Sequence, residues 1–220
     1  MIGVIEFFWP RLSTPTTLQL EDQASKQRHD LQLIKDAKWD THTDIALECA
    51  RALHEQETER KRSSESKASI YLAVIAAIFP VLVSLPKDLY GDELPDMSAG
   101  WQTVLLGFFV LGVVYLVRSG IWAFRTLAVS THNRIDATDI VHLWGEPNAN
   151  SALIRDLLVT TRMNRDGVNA KVAFIKMAHA FLLRTFVAFA ILLLIAVLRK
   201  PFVIFLDATI PMVQAAVCGS

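Results

Sequence analysis

The chain has 220 residues, 22 basic against 22 acidic, for a formal net charge of zero, so bulk charge gives no footprint for nucleic-acid binding. Hydrophobic residues make up 52%, high for a soluble protein, and Cys49 and Cys218 form neither a CxxC pair nor a His-paired ligand set, which argues against a disulfide framework or a zinc site. The charges fall in blocks, with ten basic and twelve acidic residues in 1–67, one and four in 87–100, and nine and five in 118–184.

The opening "MIGVIEFFWP" is apolar but lacks a basic n-region and a cleavage site, and it is too short to span. It reads as an interfacial anchor or as a strip packed under other helices. Pro15 and Thr16 supply a helix start, and from Thr17 to Ser66 there is no Gly or Pro, so residues 17–66 form one long helix or two shorter ones. Leu31, Ile34, Ile45, Cys49, Ala52 and Leu53 trace a thin apolar stripe. A heptad frame on Leu31 and Ile34 puts Lys38, Thr41, Glu48 and Glu55 on the seam, which argues against a regular two-stranded coiled coil. A solvated helix resting on a neighbour is the expectation.

Residues 68–86 carry no charge and directly follow Arg60, Lys61, Arg62 and Lys67. As a helix this run is about 29 Å long, matching the bilayer's hydrocarbon core, and membrane helices tolerate its Pro80. A second uncharged run covers 97–117, with Trp101 at one end and Arg118, Trp122 and Arg125 at the other, the anchors an interface needs. Gly107 and Gly112 are five apart and make no GxxxG motif. The stretch from Arg118 to Trp144 is expected to continue this helix, "GEPNAN" to break it, and Asn150 or Ser151 to cap a helix leading through Leu153, Leu157, Leu158, Val168, Val172 and Ile175 into a third run, 185–198. That run is only about 20 Å long, and Arg184 and Arg199 can snorkel at its ends. Gly167 is a possible bend.

In the tail 201–218 a fourth full span would bury Asp207, at about 2.5–3.5 kcal/mol, so a re-entrant or interfacial segment is favoured. The basic flanks place the N-terminus inside, the loop 87–100 outside and the middle region inside. Arg199 and Lys200 then fall outside, against that rule. The expected fold is all-α: a helical integral membrane protein with two to four transmembrane helices, three favoured, and long cytoplasmic helices. It divides into a cytoplasmic helical region (1–67), a two-span hairpin (68–125), a cytoplasmic helical hairpin arm (126–180), and a third span with an apolar tail (181–220).

Chemistry-bearing motifs are scarce. Asp136, Asp139 and His142 stand three apart, a spacing a metal could use but one more often found on a solvated face. His179 reads as an interface residue and Arg184 as a boundary charge. Asp207 is a functional candidate because carboxylates are costly at membrane depth. No phosphate loop, GxSxG or HExxH occurs, so enzymatic activity, a cofactor and a metal are not expected. Pro80, Arg184 and Asp207 are the candidates for gating or assembly.

The border "ERKRSSESKASIYLAVIAAIFPVLVSL" resembles the start of the membrane portion in bacterial membrane effectors of anti-phage defence: SLATT-type effectors, membrane effectors of cyclic-nucleotide systems and membrane proteins paired with retrons. The resemblance covers roughly residues 50–125 and rests on Lys67, Ala68, Ser69, Pro80 and the paired spans. It implies a multi-pass protein of the bacterial inner membrane, held off by a partner encoded nearby. On infection it would assemble with copies of itself and breach the bilayer. Two other readings compete: a tether whose cytoplasmic helices bind a partner protein, and a small channel subunit, for which only Asp207, Thr103 and Ser84 offer polarity at span depth.

Overall fold

The computed structural model describes residues 9, 10, 12, 16–90, 99–128 and 133–218, with side chains for all of these except 86, 88–90, 99 and 199–218. All regular structure among them is helical: α1 (Thr17–Asp36), α2 (Thr43–Tyr90), α3 (Ala99–Leu127), α4 (Ala137–Trp144) and α5 (Ala149–Cys218). The segment 1–8, with its apolar opening, and the segment 91–98 lie outside the described residues.

Helix α1 starts where the sequence places it. Thr16 Oγ1 accepts from Gln19 N and Gln19 Oε1 accepts from Thr16 N, a capping box. Its end needs no Gly or Pro. The Trp39 indole donates to Ile34 O, Thr43 Oγ1 donates to Trp39 O, and His42 takes a positive φ of 55°. These side-chain bonds compete with the helical ladder and turn the chain between α1 and α2. No residue of α1 is buried, as its thin stripe implied.

Helix α2 then runs unbroken through the charged border 59–67 and through Pro80. Lys, Arg and Glu are good helix formers, so the change from charge to oil changes the helix's surroundings and leaves its backbone intact. Helix α5 is likewise continuous from Ala149 past Pro201, Asp207 and Pro211 to Cys218, so the tail belongs to one helix with the third apolar run. Three helices, over Thr43–Leu85, Gly100–Leu127 and Ala149–Leu198, are long and apolar enough to cross a membrane.

The middle region departs from the expected two-helix arm. Helix α3 ends at Leu127, and α4 has only eight residues. Asn133 and Asn164 separate them: Asn133 N donates to Asn164 Oδ1 at 3.0 Å, and Asn164 Nδ2 donates to Asn133 O at 2.8 Å. One buried amide side chain thereby satisfies a non-helical peptide and holds the chain away from helix. The turn at 145–148 is where "GEPNAN" put it, but α5 begins at Ala149, ahead of the expected caps Asn150 and Ser151. Nothing lies within 4 Å of a Cβ built on Gly167, and α5 passes through it as helix.

The chain packs as two compact units, one of residues 1–74 and 120–178, the other of 75–119 and 179–220. In the first, α2 and α5 run parallel, since His54 meets Thr161 and Glu65 meets Lys171, while the end of α3 runs against them. Its apolar core joins Leu47 and Ala50 to Ile154 and Leu157, flanked by Trp39 and Ile135. The stripe expected at Ile45, Cys49, Ala52 and Leu53 is exposed instead. The buried or half-buried line is Leu47, Ala50, His54, Glu57, Lys61, Ser64 and Ala68, alternating three and four residues apart. Ile154, Leu157, Thr161, Asn164, Val168 and Lys171 repeat the spacing on α5. That is the spacing of a left-handed coiled coil, in a frame two residues away from the one set on Leu31 and Ile34.

In the second unit α3 and α5 are antiparallel. Tyr115 packs on Phe181, Phe109 on Phe189, and Leu105 with Leu192 beside Leu85. Gly112 is buried, and a Cβ there would lie 2.9 Å from Cε1 and Cζ of Phe189. The glycine makes room for a ring from the facing helix, a role its lack of GxxxG spacing concealed. The outer faces are apolar and exposed, among them Phe79, Val83, Val110, Phe186, Leu194 and Val197. Only 11% of the most apolar window of α2 is buried.

Candidate functional site

The nine residues singled out from sequence do not converge on one site. Arg60 donates two hydrogen bonds to Glu57, at 2.8 and 3.0 Å, and one to Asn169 Oδ1 at 3.2 Å. Arg62 pairs with Glu59 at the surface, Lys67 is exposed, and Lys61 is half-buried. Arg125 lies over the Trp122 ring at 4.8 Å, and Arg118 lies 5.8 Å from the centroid of Phe181. Pro80 is exposed in an unbroken helix. Arg184 donates to Ala180 O on its own helix, and His179 is exposed. Asp207 belongs to α5, with its side chain outside the described residues.

Asp136 and Asp139 have a structural use. Asp136 caps α4, its carboxylate accepting from Ala137 N at 2.8 Å, and Asp139 Oδ2 accepts from Asp136 N at 2.8 Å. The i, i+3 spacing that could serve a metal here makes a capping box. The Asp139 carboxylate also bears on Asp156 of α5. Burial first, and Asp139 second, raise the Asp156 pKa above the usual range, with Arg155 opposing. A raised folded-state pKa means that the native state holds the proton more tightly than the unfolded chain. Stability therefore falls as pH rises from the ordinary value, about 3.9, through the raised one, and the ionised carboxylate weakens the fold at neutral pH. Asp156→Asn is expected to raise the melting temperature at pH 7, with a gain in unfolding free energy below about 1 kcal/mol because the group is partly solvated. The gain should vanish below about pH 4, as thermal unfolding at the two pH values would show.

The concentrated polar feature is in the first unit, where α2, α3 and α5 meet at Lys171. Its side chain is only 7% exposed. Nζ donates to Glu65 Oε1 of α2 at 2.8 Å and to Thr126 O of α3 at 3.0 Å. Thr126 stands in the last turn of α3, whose carbonyls have no partner further along the helix, so the ammonium caps that helix and favours its negative end. One buried cation thus ties three helices together. Beside it, Ser64 Oγ donates to Arg60 O and Thr126 Oγ1 to Trp122 O, satisfying buried hydroxyls within their own helices. The Trp122 indole N–H is buried without an acceptor among the described residues.

Further along the seam, the His54 Nδ1 and Thr161 Oγ1 are 3.2 Å apart, and Arg162 holds Asp30 of α1 at 2.8 Å. Hydropathy could not find these residues, since polar side chains at core positions count as surface. The available signal was the three-and-four spacing of Ile154, Leu157, Val168 and Ile175, which puts Thr161, Asn164 and Lys171 on the same line. A buried ion pair of this kind contributes little net stability, because desolvation offsets much of its attraction. No protein-family model, no curated protein and no solved structure matches the chain.

Proposed function

We propose that this chain is a multi-pass protein of a bacterial inner membrane whose apolar helices are its working part, an effector of antiviral defence that breaches the bilayer when released. The observation that carries the reading is the continuity of α2 and α5, which bear a seam of buried charge and hydroxyl and run on into the uncharged stretches 68–86 and 185–198. A core built on Glu65, Lys171 and Thr126 gains less from burial than an apolar one and is open to competition from another charged surface or from water. The seam is thus suited to a latch. A partner encoded nearby would hold it closed, and its opening would shift both helices within the membrane and let copies assemble.

The direction of the helices supports three crossings. α2 and α5 run one way and α3 runs back, with the basic residues before the uncharged run of α2 marking the inner side. The large exposed apolar side chains on the second unit suit contact with lipid. A second reading, a tether that presents its helices to a partner, draws on Val141 and Trp144 of α4, both exposed outside the apolar runs.

The test is inner-membrane potential, read with a voltage-sensitive dye in cells carrying the chain with its native neighbours, with and without phage. Depolarisation after infection, absent from cells lacking the chain, is the expected result. A potential that holds through infection at confirmed membrane expression would remove the effector reading and leave the tether.

A further inference from the structure

We propose that the first unit binds an organic phosphate in a cleft between α2, α5 and the segment leading into α4. The cleft has a volume of about 380 Å³, within the range of small-molecule sites. Arg51, His54 and Lys61 reach it from one face of α2, at successive spacings of three and seven residues, and Arg134 reaches it from the far side. Its floor is apolar: Ile135, Ile140, Leu153 and Leu157.

The charge balance is what singles this cleft out. Among the described residues no carboxylate lines it. Along α2, Glu57 pairs with Arg60, Glu59 with Arg62 and Glu65 with Lys171, while Glu48 and Glu55 are exposed and are not among the residues that line the cleft. Asp136, two residues beyond Arg134, caps α4. The neighbouring cleft is internally neutralised, Asp30 and Glu57 facing Arg162 and Arg165. Three cations gathered around one space without a counter-ion repel one another, and an anion relieves that repulsion. Arg134 is also placed with some care: the paired bonds of Asn133 with Asn164 fix the backbone just before it. The His54 ring, which lines the cleft, is held through its Nδ1 by Thr161 Oγ1 at 3.2 Å.

The chemistry selects a ligand with two parts. Guanidinium groups and an ammonium suit phosphate oxygens, and two arginines can each give a forked pair of donors. A bare inorganic anion would leave the apolar floor uncovered, so the rest of the ligand is a flat or apolar organic group lying on Ile135, Ile140 and Leu153. A soluble nucleotide has this form, and so does the headgroup and glycerol backbone of an anionic lipid. Lys61 stands seven residues, about 10 Å of helix, before Ala68, where the uncharged run begins, so both sources are within reach. The inference concerns binding alone and stands whether or not the chain breaches membranes.

The test uses the full chain in nanodiscs. In discs of phosphatidylcholine alone, ATP and inorganic pyrophosphate serve as soluble probes, with titration calorimetry and thermal unfolding as readouts. In a second arm, discs containing phosphatidylglycerol receive no soluble probe. Wild type is compared with Lys61→Gln/Arg134→Gln, with the exposed single variant Arg134→Gln, and with Arg62→Gln as a surface control. The expected result is saturable stabilisation of wild type, stronger for ATP than for pyrophosphate. Binding should weaken about tenfold or more in the double variant and be unchanged in Arg62→Gln. Stabilisation in the first arm assigns a soluble phosphate ester, and stabilisation only by phosphatidylglycerol assigns a lipid headgroup. The proposal is overturned if neither arm stabilises folded wild type, if Lys61→Gln/Arg134→Gln and Arg134→Gln bind as wild type does, or if Arg62→Gln loses as much as they do.

Discussion

Glu65→Leu is expected to destabilise the first unit by about 3 kcal/mol, whereas Lys171→Met should cost about 1 kcal/mol or less. The asymmetry follows from burial. Lys171 is 7% exposed and Glu65 35% exposed. Removing the carboxylate strands an ammonium that cannot reach water, with only the Thr126 carbonyl left to it. Removing the ammonium leaves a carboxylate that water already touches, and Met fills much of the lysine stem's volume. Glu65→Leu/Lys171→Met replaces the pair by apolar groups of similar size and should return close to wild type. The resulting coupling of about 3 kcal/mol or more is measurable as a double-mutant cycle on thermal unfolding in detergent. Equal losses in the two single variants, or simple addition in the double, would show that the pair does not hold the seam.

The second large effect is expected at Gly112. With a Cβ already 2.9 Å from the Phe189 ring, Gly112→Leu drives three further carbons into a closed contact and should cost about 3 kcal/mol in the second unit. Gly112→Ala meets the movable end of a ring and should cost about 1 kcal/mol. Gly112→Leu/Phe189→Ala restores the space and should recover most of the loss. Gly107, with nothing within 4 Å of its Cβ position, should accept alanine without loss and serves as the internal control. Resistance to unfolding in mixed detergent micelles would rank the four variants.

What could be read from the residues, and what could not, follows the physics of each signal. The apolar runs were legible because an uncharged stretch of that length has few other uses, and the start of α1 was legible from Pro15 and the threonines after it, while the part Gln19 plays in the capping box emerged only with the structure. The helix break at 37–42 was not, since it is made by the Trp39 and Thr43 side chains and a left-handed His42, none of which is a usual punctuator. The early end of α3 was hidden likewise: the amide of Asn164, more than thirty residues on, supplies the bonds that stop the helix from resuming. The polar seam escaped because a helix partner turns Glu57, Ser64 and Lys171 inward, and hydropathy has no knowledge of partners. Asp136 and Asp139 were visible as a pair, but their spacing serves a helix cap and a metal equally well, and only the backbone decides between them.

The latch itself is tested most directly by inner-membrane potential in uninfected cells expressing the chain without its neighbours, as wild type, Glu65→Leu, Lys171→Met or Glu65→Leu/Lys171→Met, at matched membrane levels. If the closed seam holds the apolar helices in their resting arrangement, Glu65→Leu, which leaves an unpaired buried ammonium in it, collapses the potential faster and at lower expression than wild type, while the double variant, whose seam is matched again, behaves as wild type. A potential equally intact in Glu65→Leu and wild type, with Glu65→Leu shown by unfolding to have lost its seam, would contradict the claim that the seam restrains the membrane helices.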